Sequence, residues 1–320
     1  MSRRAVSLII ITALVIVSMF VPSVSGTTTN EEEMFTANAW KEVKVSGNGP
    51  DKVVQLHFEG EISSAKDQFG NSTYSLWKSE LEQAKADDHV KAIVIAVDSP
   101  GGEVIPSAEL HDLIQSVQSS GKKVVISMQN MAASGGYYLS APADVIFAMP
   151  ATLTGSLGVI FSVPNYAKAA DWIGYKENVI KSGEFKDIGS PLREMTDSER
   201  AIFQTLVNEC YQAFVDVISK GRGIKREEVL KIADGRVYSG LQAQKIGLID
   251  QIGTFDDATE YAVNEFANGT SSVVEYVQNV SLVEQFLSGI GVKVTPLQTW
   301  ISAVSSSMDT RPRMLYLFRP

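Results

Sequence analysis

Only one cysteine, Cys210, occurs in the 320 residues, so no disulfide can form within the chain. Between Glu209 and Tyr211 on a helical pattern, it reads as a small core residue rather than a nucleophile. Histidine is scarce as well, with His57, His89 and His111 the full set. There is no HExxH pattern and no Cys/His ligand group, which excludes a zinc hydrolase, and the lone cysteine has no histidine close by to make a cysteine protease. No metal or other cofactor is expected. Basic residues are outnumbered, 28 Lys and Arg against 37 Asp and Glu, for a net charge of −9. Nucleic acid is therefore not an expected partner, because its binding needs a basic face to displace counterions.

What the chain does have begins at the N-terminus. Arg3 and Arg4 precede an apolar run from Ala5 to Val21, and no acidic residue appears before Glu31. A membrane-spanning helix takes about 17–25 apolar residues, so the run is at the short end of that range. A signal anchor over residues 1–26 is expected, rather than a signal peptide cleaved after Val24-Ser25-Gly26. Either reading leaves the arginines in the cytoplasm and exports the rest; the retained anchor gives a single-pass cell-membrane protein with an extracytoplasmic domain. Residues 27–50 read as a polar linker, with Glu31-Glu32-Glu33 and the breaker Gly47-Asn48-Gly49-Pro50.

Strand and helix patterns then alternate through an expected domain at 51–270. Val53 to Phe58, Ala92 to Val97, Val124 to Met128 and Val145 to Ala148 read as strands, the second apolar throughout as if buried on both faces. Ser75 to Ala86 and Ala108 to Val117 have helical spacing. Thr196 and Glu199 match a capping box that opens a helix running to Lys220, and Lys225 to Ile232 and Phe255 to Phe266 read as further helices. The order predicts an α/β fold with parallel strands and flanking helices. Residues 271–310 read as an amphipathic extension and tether, with Ser281 to Val304 a packing or assembly element. Residues 311–320 form a tail whose Met314 to Phe318 is apolar. That tail is expected to lie in the chain's own peptide cleft and restrain activity, with the membrane surface as the other option.

Two turns carry chemistry. Asp98-Ser99-Pro100-Gly101-Gly102 follows a buried strand, where α/β sheets place their sites, and its glycines free backbone N–H groups for an oxyanion hole. Asn130-Met131-Ala132-Ala133-Ser134-Gly135-Gly136-Tyr137-Tyr138 follows another, as a variant of the nucleophile elbow with Ser134 at its apex. A serine nucleophile needs a base. His57 lies in a strand pattern, His89 in a loop, and His111 on the polar side of a helix; all precede Ser134. A lysine remains. Free lysine has a pKa of about 10.4, so burial beside the serine would have to favour its neutral form. Spacing leaves Lys168, Lys176, Lys181 and Lys186 all open.

Taken together, Val97-Asp98-Ser99-Pro100-Gly101-Gly102, Met131 to Tyr138, Thr154-Gly155-Ser156-Leu157-Gly158-Val159, Lys181 to Pro191 and Gly235 to Gly240 resemble the signal peptide peptidase A (protease IV) family in its short, single-domain bacterial form. The resemblance covers Val53 to about Ala262. It implies the Clp protease/crotonase-like fold and a Ser-Lys dyad, with Ser134 as nucleophile and Lys186 as base. Gly102 and Gly135 would be oxyanion donors and Ser156 an accessory residue orienting the lysine. It also implies peptide substrates such as signal-peptide remnants, and a homo-oligomer in which Ser134 of one subunit meets Lys186 of the next. A crotonase-like acyl-CoA enzyme and a catalytically silent membrane scaffold are the alternatives from other classes.

Overall fold

Strand Val90–Ser99 shows why the sheet is central: nearly every residue is buried, because both faces are covered. Ile93, Ile95 and Val97 pack to one side, while Ala92 and Val94 pack to the other. Such a strand has no solvent face, so its sequence is apolar without alternation. The structure is a computed structural model that describes residues 40–67, 70–267, 269, 271–278 and 313–318.

In chain order the elements begin with β1 (Lys41–Ser46), β2 (Lys52–Glu59), α1 (Thr73–Ala86), β3 (Val90–Ser99), β4 (Gly101–Glu103) and α2 (Val104–Ser119). They continue with β5 (Lys123–Ala133), α3 (Gly135–Ser140), β6 (Val145–Ala148), β7 (Leu153–Gly155), β8 (Ile160–Ser162) and α4 (Ala167–Trp172). The rest are α5 (Asp197–Arg222), α6 (Arg226–Ile232), β9 (Val237–Ser239), α7 (Gly240–Lys245), β10 (Gln251–Ile252), α8 (Phe255–Phe266), β11 (Ser272–Val277) and β12 (Arg313–Leu317).

The main sheet runs β1-β11-β2-β3-β5-β6-β10, with β7 paired to β5 and β9 to β7. Pairing is parallel from β11 through β10 and antiparallel at β1·β11 and β7·β9. This is an α/β arrangement of mostly parallel strands with flanking helices, as the order of elements predicts. Leu81 and Ala84 of α1, Leu110 and Ile114 of α2, and Phe214 and Ile218 of α5 join the larger core with Val54, Leu56 and Phe58. Ala258 and Ala262 of α8 close the opposite face against Val53, Val125 and Phe147. A capping box at Thr196 and Glu199 starts α5, and Gly223 in the left-handed conformation ends it.

Two segments differ from the sequence reading. Lys41–Ser46, assigned to a polar linker, forms the edge strand β1, and Ser272–Val277, assigned to an extension, lies inside the sheet between β1 and β2. Domain edges expected at 51 and 270 therefore cut through the sheet. Every residue of β1 is exposed, so composition alone gives it a linker's signature; two lysines on an edge also deter pairing with another chain. Among the described residues no helix is long and apolar enough to cross a membrane. The anchor expected over residues 1–26 and the element expected within Ser281 to Val304 lie outside the described residues.

Candidate active site

The C-terminal ends of β3 and β5 lie side by side and deliver the two turns to one place. Asp98 ties them together: one carboxylate oxygen accepts from Asn130 Nδ2 at 2.8 Å and the other from the Met131 amide at 3.0 Å. Ser99 Oγ donates to the Gly60 carbonyl at 2.6 Å and accepts from the Gly101 amide at 3.1 Å. Gly101 has φ of 95°, and a Cβ on Gly102 would stand 2.0 Å from the Ile62 carbonyl oxygen. A side chain is excluded at both positions, at Gly102 by the Ile62 backbone and at Gly101 by the strand in the cleft.

Ser134 caps α3 with φ 52° and ψ −113°, a strained conformation for a residue with a Cβ. Its amide donates to the Gly155 carbonyl at 2.8 Å, and its carbonyl accepts from the Tyr138 amide at 2.8 Å. Ser156, on the far side of Gly155, has φ of 50°, and its amide donates to Arg236 O at 2.8 Å. Among the described residues these two serines are the non-glycine residues with positive φ. Both are buried. A Cβ on Gly135 would lie 3.1 Å from the Gly102 nitrogen, so the two glycines expected to supply amide donors are neighbours.

The tail runs through this site. Strand β12 is the middle strand of a small antiparallel sheet, between β4 and β8. Tyr316 faces Gly102 and Leu317 faces Gly101, while Met314 faces Phe161 and Arg313 faces Ser162. The Phe318 amide donates to the Pro100 carbonyl at 2.8 Å. Hydrogen-bonded pairs recur every second residue in an antiparallel ladder, so Tyr316 and Gly102 form the next such pair and the Gly102 amide is aimed at the Tyr316 carbonyl. A Cβ on Gly101 would be 2.0 Å from that carbonyl oxygen and 2.5 Å from the Gly135 nitrogen. The carbonyl thus lies opposite the Gly102 amide and near the Gly135 nitrogen, beside the turn that holds Ser134.

The Tyr316 ring stacks on Tyr138, centroids 4.8 Å apart, and tilts against Phe214, also at 4.8 Å. Its hydroxyl donates to the Cys210 carbonyl at 3.0 Å. Cys210 Sγ in turn meets Met314 Sδ at 3.4 Å. Burial raises the Cys210 thiol, pushes the Tyr138 phenol up to about 12 and raises the Tyr316 phenol further. These groups stay protonated and act as packing surface and hydrogen-bond donors.

Two family models match the chain: peptidase family S49 over residues 116–267 and Clp protease over residues 51–154. A protein named "Putative signal peptide peptidase SppA" in Enterococcus faecium is 31% identical over 292 residues, 87% of this chain and 84% of the relative. A protein named as a protease in Methanocaldococcus jannaschii, there also qualified as "putative", is 36% identical over 236 residues, 71% of this chain and 75% of the relative. The chain belongs to peptidase family S49. A chloroplastic serine protease SPPA of Arabidopsis thaliana is 30% identical over 254 residues, 77% of this chain and 37% of the relative; the S49 family and its protease-named members together support a serine peptidase.

The four lysines left open by the sequence differ in their surroundings. Lys181 is engaged, with Nζ 2.6 Å from Asp187 Oδ1 and 2.8 Å from the Glu184 carbonyl. Lys168, Lys176 and Lys186 are exposed. Among the described residues no ion pair or side-chain hydrogen bond engages Lys186, and no polar contact joins it to Ser134. Its loop is fixed all the same. Arg193 Nε meets Asp187 Oδ2 at 3.0 Å, and Arg193 Nη1 meets Glu199 Oε2 at 2.9 Å. Arg193 accordingly lowers both carboxyls, bringing Glu199 down to about 2.

One chain therefore gathers Ser134, Gly102, Gly135 and Ser156, while Lys186 is exposed. His111 corrects its sequence reading: it is buried, with its ring edge toward Tyr138 at 5.3 Å and Nδ1 2.9 Å from Asp112. His57 is exposed beside Glu275 at 3.4 Å. From the sequence, Asp98, Tyr138, Cys210 and Phe214 had no individual part in the site. The signals available were the Tyr137-Tyr138 pair beside Ser134 and the helical spacing that sets Cys210 and Phe214 on one face of α5.

Proposed function

We propose that this serine peptidase cleaves extended apolar peptides at a membrane surface, signal-peptide remnants among them, with Ser134 as nucleophile and Lys186 of a neighbouring copy as general base. The observation that carries the reading is the Tyr316 carbonyl, held in strand register beside Gly102, Gly135 and the Ser134 turn. In a substrate, Ser134 Oγ attacks a carbonyl held in that position. The oxygen takes up negative charge between the Gly102 and Gly135 amides, the donors an oxyanion requires. The lysine accepts the serine proton and passes it to the leaving amine, and water then hydrolyses the acyl-enzyme by the same route.

A base must come within about 3 Å of the proton it removes. Lys186 is exposed in its own chain while Ser134 is buried, so a second copy offers the lysine a way in. Trp172, Ile173 and Ile180 are 88%, 71% and 100% exposed in the same region, an apolar surface suited to burial against a neighbour. Burial there also removes water from the ammonium and favours the neutral amine. Ser156 follows Gly155, whose carbonyl accepts from the Ser134 amide, and in this reading its hydroxyl orients the incoming lysine. The apolar run after Arg3 and Arg4 supplies the membrane anchor. The tail, occupying the same strand position as a substrate, restrains turnover.

A serine-directed covalent probe tests the nucleophile. Wild-type protein takes up one label per chain and Ser134→Ala takes up none. Labelling of Ser134→Ala at the wild-type rate would remove Ser134 from this role.

A further inference from the structure

We propose that the cleft contains a third side-chain subsite, which accepts an apolar side chain five residues before the bond that is cut. The inference rests on the reading that Tyr316 occupies the position of the residue donating the scissile carbonyl.

Helix α5 lies beneath the tail and presents Phe203, Val207, Cys210 and Phe214 at spacings of four, three and four residues, a single stripe on one face. Phe214 supports Tyr316, and Cys210 supports Met314. Side chains on one face of a strand recur every second residue, about 6.6 Å apart, and half a heptad of helix advances about 5 Å. The two repeats keep pace closely enough that a peptide's next residue on this face, two before the Met314 position, falls over Val207 and Phe203.

A cavity of about 280 Å³ lies there. Its apolar wall is formed by Phe161, Val163, Pro164, Phe203 and Val207. The Phe161 and Phe203 rings meet at 4.5 Å to form the floor. The strand register leads into it: Arg313 faces Ser162, so a peptide continuing upstream along β8 passes Val163 and then Pro164. Of the polar groups at the rim, Arg193 is matched by Asp187 and Glu199, Glu194 by Asn165 Nδ2 at 2.8 Å and Gln204 by Asn208, while the exposed Arg200 guanidinium has no side-chain partner among the described residues. An apolar side chain fits against the wall of Phe161, Pro164, Phe203 and Val207, whereas a carboxylate there would give up water for, at most, the solvent-screened Arg200 guanidinium at the rim. The volume is at the bottom of the range for a small-molecule site and suits a single side chain.

With three subsites at alternate positions, the substrate class narrows to peptides that run extended for at least five residues before the cut. A continuous apolar run satisfies all three subsites at every register. A chain that alternates apolar and charged residues satisfies them only at every second bond.

The test is a set of fluorogenic peptides given to the full-length protein. All carry tyrosine before the cut and methionine two residues earlier, and they differ at the fifth residue: leucine, alanine or glutamate. Burial of a leucine side chain predicts a kcat/KM roughly tenfold or more above that of the alanine peptide, with glutamate below both. Phe203→Ala should shrink the leucine preference. The wild-type series needs no variant to fold. Equal kcat/KM for all three peptides would overturn the subsite while leaving the peptidase reading in place. Cleavage of none of them would overturn the peptidase reading itself, and the subsite with it.

Discussion

Gly102 and Tyr316 face each other across the antiparallel junction of β4 and β12, and a Cβ on the preceding Gly101 would lie 2.0 Å from the Tyr316 carbonyl oxygen. The chain thus places its own C-terminal segment where a substrate strand would run, using the backbone pairing that recognises peptides by strand addition. A tethered strand competes at an effective concentration of order millimolar.

Deleting residues 311–320 should therefore raise turnover of small peptides. A tail that binds with a dissociation constant of about 0.1 mM would occupy roughly nine-tenths of the clefts, so the expected gain is about tenfold. A peptide spanning Arg311 to Pro320 added in trans should inhibit the deleted protein. Unchanged turnover on deletion, with loss of vesicle binding instead, would transfer the tail to the membrane surface.

Gly101→Ala should abolish peptide turnover while the protein stays folded. The new methyl would stand 2.5 Å from the Gly135 nitrogen as well as against any strand in the cleft, and φ of 95° disfavours a side chain. Loss of aligned oxyanion donors costs about a hundredfold to a thousandfold in kcat. Full activity in a variant with a normal melting curve would contradict the assignment of this turn.

Glu80 points inward from α1, and burial lifts its carboxyl from 4.5 to about 8. The folded state holds a proton that the unfolded chain releases above its own pKa, so stability falls as pH rises from about 4.5 to about 8 and then levels. At pH 7 the penalty is of order 3 kcal/mol. Glu80→Gln should raise Tm more at pH 8 than at pH 5. An equal shift at both would show that the carboxyl ionises freely in the fold.

How much of this was legible in the sequence depended on what each residue's environment required locally. The apolar run Ala92 to Val97 sits within β3, the Thr196 and Glu199 capping box starts α5, and Phe255 to Phe266 is α8 end to end. Each is specified by its own side chains. The Ser134 turn was legible for the same reason, since small residues flank it where the chain must bend sharply. β1 was missed because an exposed edge strand has no buried pattern to show. His111 was misplaced because Tyr138, brought from another element, turns that side of α2 into an interior. The apolar tail announced that it binds something, but its register against Gly101 and Gly102 joins segments more than two hundred residues apart, and no local pattern encodes that.

Arg193 holds the loop carrying Lys186 to the start of α5 through Asp187 and Glu199. Both carboxyls are lowered, so their contribution is present at neutral pH and fades as pH falls from about 4.5, with Glu199 protonating near 2. Arg193→Gln should move loop opening to higher pH, read by hydrogen exchange or limited proteolysis between pH 2 and 6. Overlapping profiles for the two proteins would show that the clamp does not hold the loop.

The central claim is that Ser134 of one copy works with Lys186 of another. The direct measurement is peptidase activity after subunit exchange between Ser134→Ala and Lys186→Ala proteins, each inactive alone. In a ring of head-to-tail contacts mixed one to one, about a quarter of the interfaces pair an intact serine with an intact lysine, so about a quarter of wild-type activity should return. No recovery, with exchange verified by fluorescence transfer between labelled subunits, would contradict the shared site.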